Sequence, residues 1–435
     1  PLPASTAPLT RAAAARLLET CLSERVTLDE AMTRVALYDG LAGADRGFAR
    51  AMVSFAMRDL GRIDLALAKF VDRPLEALDP DVRALLRIGA AQTWHLGTPD
   101  HAAVGETVAA ARLLDGARRA GGLINAVLRK ATSTPDGLLA WPAEAAWPAW
   151  LFDRLSADIG PEAAQRLAAA QMAPPYLHLT PRDPTPTLAI LEQEPDATRL
   201  PGGTISLPGT PVEALDGYGD GTWWVQDAAA ALPARVLAVR PDEVVADLCA
   251  APGGKTLQLA ASGADIIAVD RAASRLGRLR ANLDRTGLAD KVRIVTGKVE
   301  TWRPEKPVDA LLLDPPCSAL GTLRRHPEGA WIKRADDLTR YPEVQARLLR
   351  AAVAQVRPGG RLVYCVCTPL AAEGRDVVES ALKAGGLARL PIDPGEVPGF
   401  EACLTAEGDL LTIPPPDTGQ AALHDAFYIA RLQRT

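Results

Sequence analysis

Two cysteines, fifty residues apart, each stand at the end of an apolar, strand-like run. Cys317 closes Asp314-Pro315-Pro316-Cys317 after Ala310-Leu311-Leu312-Leu313, and Cys367 follows Leu362-Val363-Tyr364-Cys365-Val366. Upstream, Asp247-Leu248-Cys249-Ala250-Ala251-Pro252-Gly253-Gly254-Lys255 reads as a glycine turn between a strand and a helix. Glycines let a backbone approach a ligand closely, and free N–H groups at a helix start attract negative charge. The turn is neither a Gly-x-Gly-x-x-Gly dinucleotide fingerprint nor a phosphate-binding loop. Asp270 ends the next strand, where a carboxylate can bind both hydroxyls of a ribose. A nucleotide-like cofactor site beside two thiols suggests methyl transfer through a thiol adduct. That chemistry suits cytosine, whose carbon 5 is a poor nucleophile until a thiolate adds at carbon 6 and makes an enamine. Asp314 can then hydrogen-bond the ring edge and stabilise charge at N3, and Lys255 can help hold a thiolate at Cys367, whose free pKa is roughly 8.5. A lone free cysteine is usually a small buried hydrophobe; the pair, in these two contexts, carries the reading.

Such a site needs a sheet whose strand ends line up. Candidate strands fall at 243–248, 264–269, 291–295, 308–313 and 360–367, with helices near 254–261, 272–286 and 336–356. Alternation with nearly continuous apolar strands indicates an α/β domain with a mostly parallel sheet covered on both faces. Ligands bind beyond the carboxyl ends of such strands, where all these motifs lie.

The rest of the chain reads differently. Residues 10 to about 130 are helical throughout: Thr27 with Glu30 forms a capping box, Asp45 is expected to cap the helix carrying Phe48, Met52 and Phe55, and Asp79-Pro80 starts the helix of Val82, Leu85 and Leu86. Pro99-Asp100 opens a helix with Val104 and Val108, and Leu123, Ile124, Val127 and Leu128 are expected to face inward on the last. Thr132-Ser133-Thr134-Pro135-Asp136-Gly137 is a turn-rich linker. After a helical stretch from about 148 to 172, short strands and turns run from Tyr176 to Trp224 as a small α+β module. The expected division is therefore 1–135 helical bundle, 145–235 α+β connecting module, and 236–435 catalytic domain.

With 435 residues, 48% hydrophobic and 23% charged, the chain has the make-up of a multidomain globular protein. It holds no uninterrupted apolar stretch of about 18 residues, and Pro1 to Thr10 lacks the layout of a signal peptide, so a cytoplasmic protein without membrane attachment is expected. Six cysteines and five histidines form no metal-ligand spacing, and no metal is expected. A net charge of −5 argues against nonspecific coating of nucleic acid. It leaves room for a local basic groove from Arg271, Arg275, Arg278, Arg280 and Arg285, or from Arg324, Arg325, Lys333 and Arg334.

The motifs Asp-Leu-Cys-Ala-Ala-Pro-Gly-Gly-Lys-Thr at 247–256, Asp-Pro-Pro-Cys-Ser-Ala-Leu-Gly-Thr-Leu-Arg-Arg-His-Pro at 314–327 and Val363-Tyr364-Cys365-Val366-Cys367-Thr368 resemble the bacterial 16S rRNA cytosine-5 methyltransferases of the RsmB/NOP (Sun/Fmu) family. Asp45-Arg46-Gly47-Phe48-Ala49-Arg50, Asp100-His101-Ala102-Ala103-Val104 and Asn125-Ala126-Val127-Leu128-Arg129 resemble the NusB-like domain of the rRNA enzyme, and Gln226-Asp227 fits the pattern too. The resemblance implies a NusB-like bundle before a Rossmann-like methyltransferase domain, S-adenosyl-L-methionine as cofactor, and RNA, 16S rRNA above all, as the partner of a monomeric enzyme. It implies Cys367 as the nucleophile and Cys317 in product release, with Asp314 and Lys255 beside them. The implied cofactor-binding set is Cys249, Ala250, Ala251, Pro252, Gly253, Gly254, Lys255, Asp270, Arg275, Lys298 and Asp314. Two positions depart from the family: Val366 replaces a hydroxyl residue before the nucleophile, and Lys298 stands where an aspartate usually binds adenine. Arg324, Arg325 and His326 are expected on phosphates and Trp331 on a base. Competing readings are a DNA cytosine-5 enzyme, in which the Pro-Cys thiol attacks, and a noncatalytic NusB-like RNA-binding protein with a vestigial cofactor fold.

Overall fold

The computed structural model describes residues 6–183, 193–209 and 211–435. The first five residues of the segment read for a signal peptide, and 184–192 and 210 of the connecting module, lie outside them. The chain divides into two compact units: Pro1–Ala157 with Leu323–Ala335, and Asp158–Thr322 with Asp336–Thr435. These limits differ from the expected three-part division at 135, 145 and 235.

The first unit is helical: α1 (Ala7–Glu24), α2 (Leu28–Met32), α3 (Ala36–Asp39), α4 (Gly43–Arg58), α5 (Leu60–Ala68), α6 (Pro80–Trp94), α7 (Asp100–Ala110), α8 (Gly121–Thr132) and most of α9 (Ala149–Ile159). The Thr27–Glu30 capping box forms as expected, and Asp79 caps α6 by accepting from the Asp81 N–H at 2.9 Å. Asp45 corrects its expectation. The cap of α4 is Ala42, and Asp45 lies inside the first turn, accepting from Thr6 Oγ1 at 2.6 Å. Its charge still suits the helix start through the backbone dipole. Leu17, Leu18, Met52, Leu85 and Ile88 are fully enclosed in the core, whereas Leu123 is 37% exposed instead of facing inward.

The second unit begins with α10 (Pro161–Met172), separated from α9 by Gly160 at φ 84°. A small antiparallel sheet follows, ordered β2 (Thr198–Arg199), β3 (Ile205–Leu207), β1 (Leu177–Pro181), β4 (Trp223–Val225). After α11 (Leu232–Leu237) comes the main sheet: β5 (Val244–Leu248), β6 (Asp265–Asp270), β7 (Val292–Thr296), β8 (Val308–Leu313), β9 (Val356–Val366), β10 (Leu387–Arg389), β11 (Leu410–Leu411) and β12 (Tyr428–Arg434). Its order is β10-β12-β9-β8-β5-β6-β7, with β11 on β12. Pairs β8–β9, β5–β8, β5–β6 and β6–β7 are parallel, and β12 runs antiparallel to β9. Val245, Ala246, Ala310, Leu311, Leu312 and Val363 are enclosed, which explains why these strands read as apolar runs. Helices α12 (Gly254–Ala261), α13 (Ala273–Thr286), α15 (Tyr341–Val353) and α16 (Arg375–Ala384) belong to this unit, while the short α14 (Gly329–Ile332) falls in the first. Arg285 of α13 donates to the carbonyls of Tyr218 and Trp223 at 2.8 and 3.1 Å and fastens the small sheet to the large one. The expectation stopped at residue 367 and so missed α16 and the antiparallel β10 and β12 at the sheet edge.

Candidate active site

Strand register decides which residues meet. Leu248 pairs with Leu313 and Val269, Leu313 with Tyr364, and Asp270 with Thr296. The segments that leave these strands, starting at Cys249, Asp314, Gly297 and Cys367, therefore emerge along one carboxyl edge. The chain turns one way from β5 to β6 and β7, and the other way to β8 and β9, so a crevice opens between the ends of β5 and β8. The Asp314 N–H donates to the Leu248 carbonyl at 3.3 Å and joins the two loops bordering it.

The loop after β5 is shaped by its backbone. Cys249 adopts φ 62°, and Gly253 caps α12 at φ 113°, where a Cβ would meet Leu279 Cδ1 at 2.4 Å. Ala250 N–H donates to the Val269 carbonyl at 3.2 Å. Asp270 accepts from the N–H groups of Ala251 and Ala272 at 3.1 and 2.9 Å, so the carboxylate is aimed before any ligand arrives. Arg275 donates to the Ala251 carbonyl and lies 3.9 Å from Asp270. Gly297 N–H donates to the Asp270 carbonyl at 3.0 Å, which sets the exposed Lys298 just beyond the end of β7. Pro252 and Gly254 complete the turn, and Gln226 from before α11 reaches it, its side chain 3.6 Å from where a Gly254 Cβ would sit.

The two cysteines meet. Cys317 Sγ and Cys367 Sγ are 3.3 Å apart, both partly exposed and both free thiols. Their loops are held by groups that the sequence did not announce. Glu373 Oε2 accepts from Ser318 N–H at 2.8 Å and from Gln345 Nε2 at 2.9 Å, and Gln345 Nε2 also donates to the Pro316 carbonyl at 3.1 Å. Ser318 Oγ and Thr368 Oγ1 are 3.0 Å apart, so the hydroxyl following Cys367 is used between the loops. Gly321 N–H donates to the Cys367 carbonyl at 3.0 Å, and the Gly321 carbonyl accepts from Ala426 N–H at 2.9 Å. Gln345 sits more than twenty residues from either cysteine and Glu373 six residues past Cys367, and no motif marks either of them.

Lys255 Nζ contacts Asp314 Oδ2 at 2.6 Å and lies 5.3 Å from the Phe427 ring centroid. Burial alone would depress its ammonium, but Asp314, with Cys365 and Cys367 nearby, outweighs it and holds Lys255 above its usual value. The hydrogen bond with Cys367, then burial, pushes the Cys317 thiol well up. Burial also pushes up Cys249 and Cys365, which marks them as inert thiols.

Two expected RNA-facing groups are corrected. Arg324 is only 5% exposed and belongs with the helical unit, and Trp331 packs against that unit's core. Arg325 and His326 are exposed, as are Arg271, Arg275, Arg278 and Arg280 of the α13 region, while Arg285 turns inward to the small sheet. Among the described residues no group of three or more His, Cys, Asp or Glu could hold a metal ion, and no helix is long and apolar enough to cross a membrane.

A mostly parallel sheet with its functional loops at the carboxyl edge, in a chain that also carries a helical unit, defines a Rossmann-like methyltransferase joined to a NusB-like bundle. Residues 234–433 match the family described as 16S rRNA methyltransferase RsmB/F, and residues 8–133 match the NusB family. Ribosomal RNA small subunit methyltransferase B of Pseudomonas putida is 34% identical over 97% of this chain and 98% of its own. The protein of the same name from Xanthomonas campestris pv. campestris is 36% identical over 86% and 87%. Among solved structures, PH0851 superposes with a TM-score of 0.75 at 22% identity, covering 98% of this chain and 99% of the other. A methyltransferase homolog from Pyrococcus horikoshii gives 0.53 at 25% identity over 66% and 96%. The chain belongs to the RsmB/F family of 16S rRNA methyltransferases.

Proposed function

We propose that the protein transfers a methyl group from S-adenosyl-L-methionine to carbon 5 of a cytosine in RNA, with 16S ribosomal RNA as the substrate. The observation that carries this reading is the 3.3 Å approach of Cys317 and Cys367 at the carboxyl edge of the sheet. Family membership and the names of the relatives support the RNA substrate.

The donor set suits the cofactor. Asp270 keeps lone pairs for a ribose diol after taking two backbone N–H groups. The open N-terminus of α12 suits a carboxylate, and Asp314 an ammonium. Lys298, a donor, cannot accept the amino hydrogens of adenine, so backbone groups near Gly297 are left to read that edge. When bound, S-adenosylmethionine supplies an electrophilic methyl group. Asp314, anchored by Lys255, faces the ring edge of the cytosine. Cys367 adds to carbon 6 and turns the ring into an enamine nucleophilic at carbon 5. After methylation the carbon 5 proton leaves to water or a nearby base. Its bonding electrons re-form the ring double bond, and the carbon 6–sulfur bond breaks toward Cys367. Cys317, within reach of that sulfur, assists its departure. The helical segment 1–135 and the α+β module 145–235 are read as the RNA-contacting parts. The target base must leave its stack or lie in a loop to reach the thiol.

Cys367→Ala is expected to lower methylation of unmethylated ribosomal RNA by roughly a thousandfold or more. Cys317→Ala should leave an SDS-stable protein–RNA adduct. Adduct with Cys367→Ala and none with Cys317→Ala would reverse the two roles. Absence of tritiated methyl transfer by the parent protein would favour a noncatalytic RNA-binding role, and bisulfite mapping with and without the protein would locate the modified cytosine.

A further inference from the structure

Cys317 and Cys367 are also placed so that they can be joined covalently. Their sulfurs are 3.3 Å apart, and an approach of roughly 1.3 Å would bring them to the about 2.0 Å of a disulfide. The loops that carry them are braced at neighbouring residues of the same unit. Gly321 N–H donates to the Cys367 carbonyl at 3.0 Å, Ser318 Oγ and Thr368 Oγ1 are 3.0 Å apart, and Glu373 Oε2 accepts from Ser318 N–H at 2.8 Å. The protein thus sets the two sulfurs side by side through its own hydrogen bonds. Among the described residues no His, Cys, Asp or Glu cluster could hold a metal ion, so coordination does not account for the paired thiols.

The other four cysteines lie in different surroundings. Cys21, Cys365 and Cys403 are buried, and burial pushes the thiols of all three and of Cys249 up, which suits inert side chains. Cys317 and Cys367 are partly exposed and open to a small solute. The Lys255 ammonium, in contact with Asp314 at 2.6 Å, lies near enough to Cys367 for their charges to act on each other. An accessible thiol beside a cation, with a second thiol next to it, is the arrangement of a redox-sensitive cysteine and its resolving partner.

We propose that Cys317 and Cys367 form a reversible modification site, in which a peroxide oxidises Cys367 and Cys317 closes a disulfide onto it. The Cys367 thiolate attacks one oxygen of hydrogen peroxide, the O–O bond breaks, and the departing hydroxide takes up a proton as water. Cys367 is left as a sulfenic acid. The Cys317 sulfur then attacks the Cys367 sulfur, the S–O bond breaks, and the hydroxyl leaves as a second water with the Cys317 proton. Two electrons have passed from the sulfur pair to the peroxide, and a dithiol returns them. The hydrogen bond with Cys367 is the main restraint on ionisation of Cys317, and oxidation of Cys367 removes that thiolate partner. Loss of methyl transfer in the oxidised protein rests on the nucleophilic role given to Cys367 above; formation of the bond does not.

The test treats the reduced full chain with a slight excess of hydrogen peroxide. Thiols counted after denaturation should fall from six to four, two being joined. Methyl transfer should fall to background, and dithiothreitol should restore both. Peptide mapping without reductant, after blocking with N-ethylmaleimide, should find the peptides bearing residues 317 and 367 linked, in a protein that runs as a single chain on a non-reducing SDS gel. Cys317→Ser should instead accumulate a dimedone-reactive sulfenic acid at Cys367 and pass to a sulfinic acid that dithiothreitol does not reverse. The proposal is overturned by a map that links other cysteines, by maleimide on both Cys317 and Cys367 after peroxide, or by a Cys317→Ser protein as reversibly oxidised as the parent. Should Cys317→Ser fail to fold, the map of the parent protein decides alone. A disulfide in a protein whose reduced form transfers no methyl group overturns the catalytic reading and leaves this one standing. Methyl transfer by a protein that forms no disulfide overturns only the modification site.

Discussion

Asp247 lies inside β5 with its carboxyl enclosed and Thr256 Oγ1 donating to it at 2.5 Å. Burial pushes it up to about 7, against the pull of that hydroxyl and of Lys255. An unfolded aspartate titrates near 3.9, so between about pH 4 and 7 the native state holds a proton that the unfolded chain has released. This contribution to stability is full below about pH 4 and is lost as pH rises through 7. Asp247→Asn should remove the dependence, gaining roughly 2–3 kcal/mol over the parent between pH 5 and pH 8 in urea unfolding; a parallel pH profile for the two proteins would exclude the assignment. At this scale the sequence was informative about type and less so about partners. Cys317, Cys367, Asp314, Lys255 and Asp270 stand in motifs whose residue types imply the chemistry. Glu373, in the turn before α16, and Gln345 of α15 hold the cysteine loops and have no motif of their own.

Between elements, the tightest approach near the thiols is at Gly321. A Cβ there would sit 1.8 Å from the Ala426 carbonyl and 3.0 Å from that of Cys367. Both are backbone atoms that cannot step aside, so Gly321→Ala should destabilise the protein by about 2 kcal/mol or more and reduce adduct formation, as measured by guanidinium unfolding and gel assay. Gly277, midway along α13, has nothing within 4 Å of its Cβ position. Gly277→Ala should instead add roughly 0.5–1 kcal/mol through helix propensity and leave adduct formation unchanged. The central parallel strands were legible because both faces are covered, which enforces continuous apolar runs such as Ala310 to Leu313. β12 was not. Its Arg431 is buried through paired bonds to Glu396 and to backbone carbonyls, so a charge interrupts the apolar pattern of an internal strand.

For the whole molecule, the discontinuous helical unit has a consequence for stability. Leu323 is 4% exposed and lies within that unit. Leu323→Ala should cost about 2–4 kcal/mol. Hydrogen exchange should register the loss in the helices of residues 7–132, although the substitution falls within the stretch matched by the methyltransferase family. Exchange accelerated only in the large sheet would contradict this division. Amino-acid order alone determined the helical start of the chain, the alternating strands and helices after residue 240, and which side chains are candidates for chemistry, because periodicity, caps and side-chain types are local properties. Tertiary structure decided that two sulfurs fifty residues apart lie 3.3 Å from each other, that Arg324 and Trp331 turn into the helical core, and that a strap from the catalytic stretch completes the bundle. Those outcomes depend on strand register and on burial between distant segments, and neither is written in any short window of sequence.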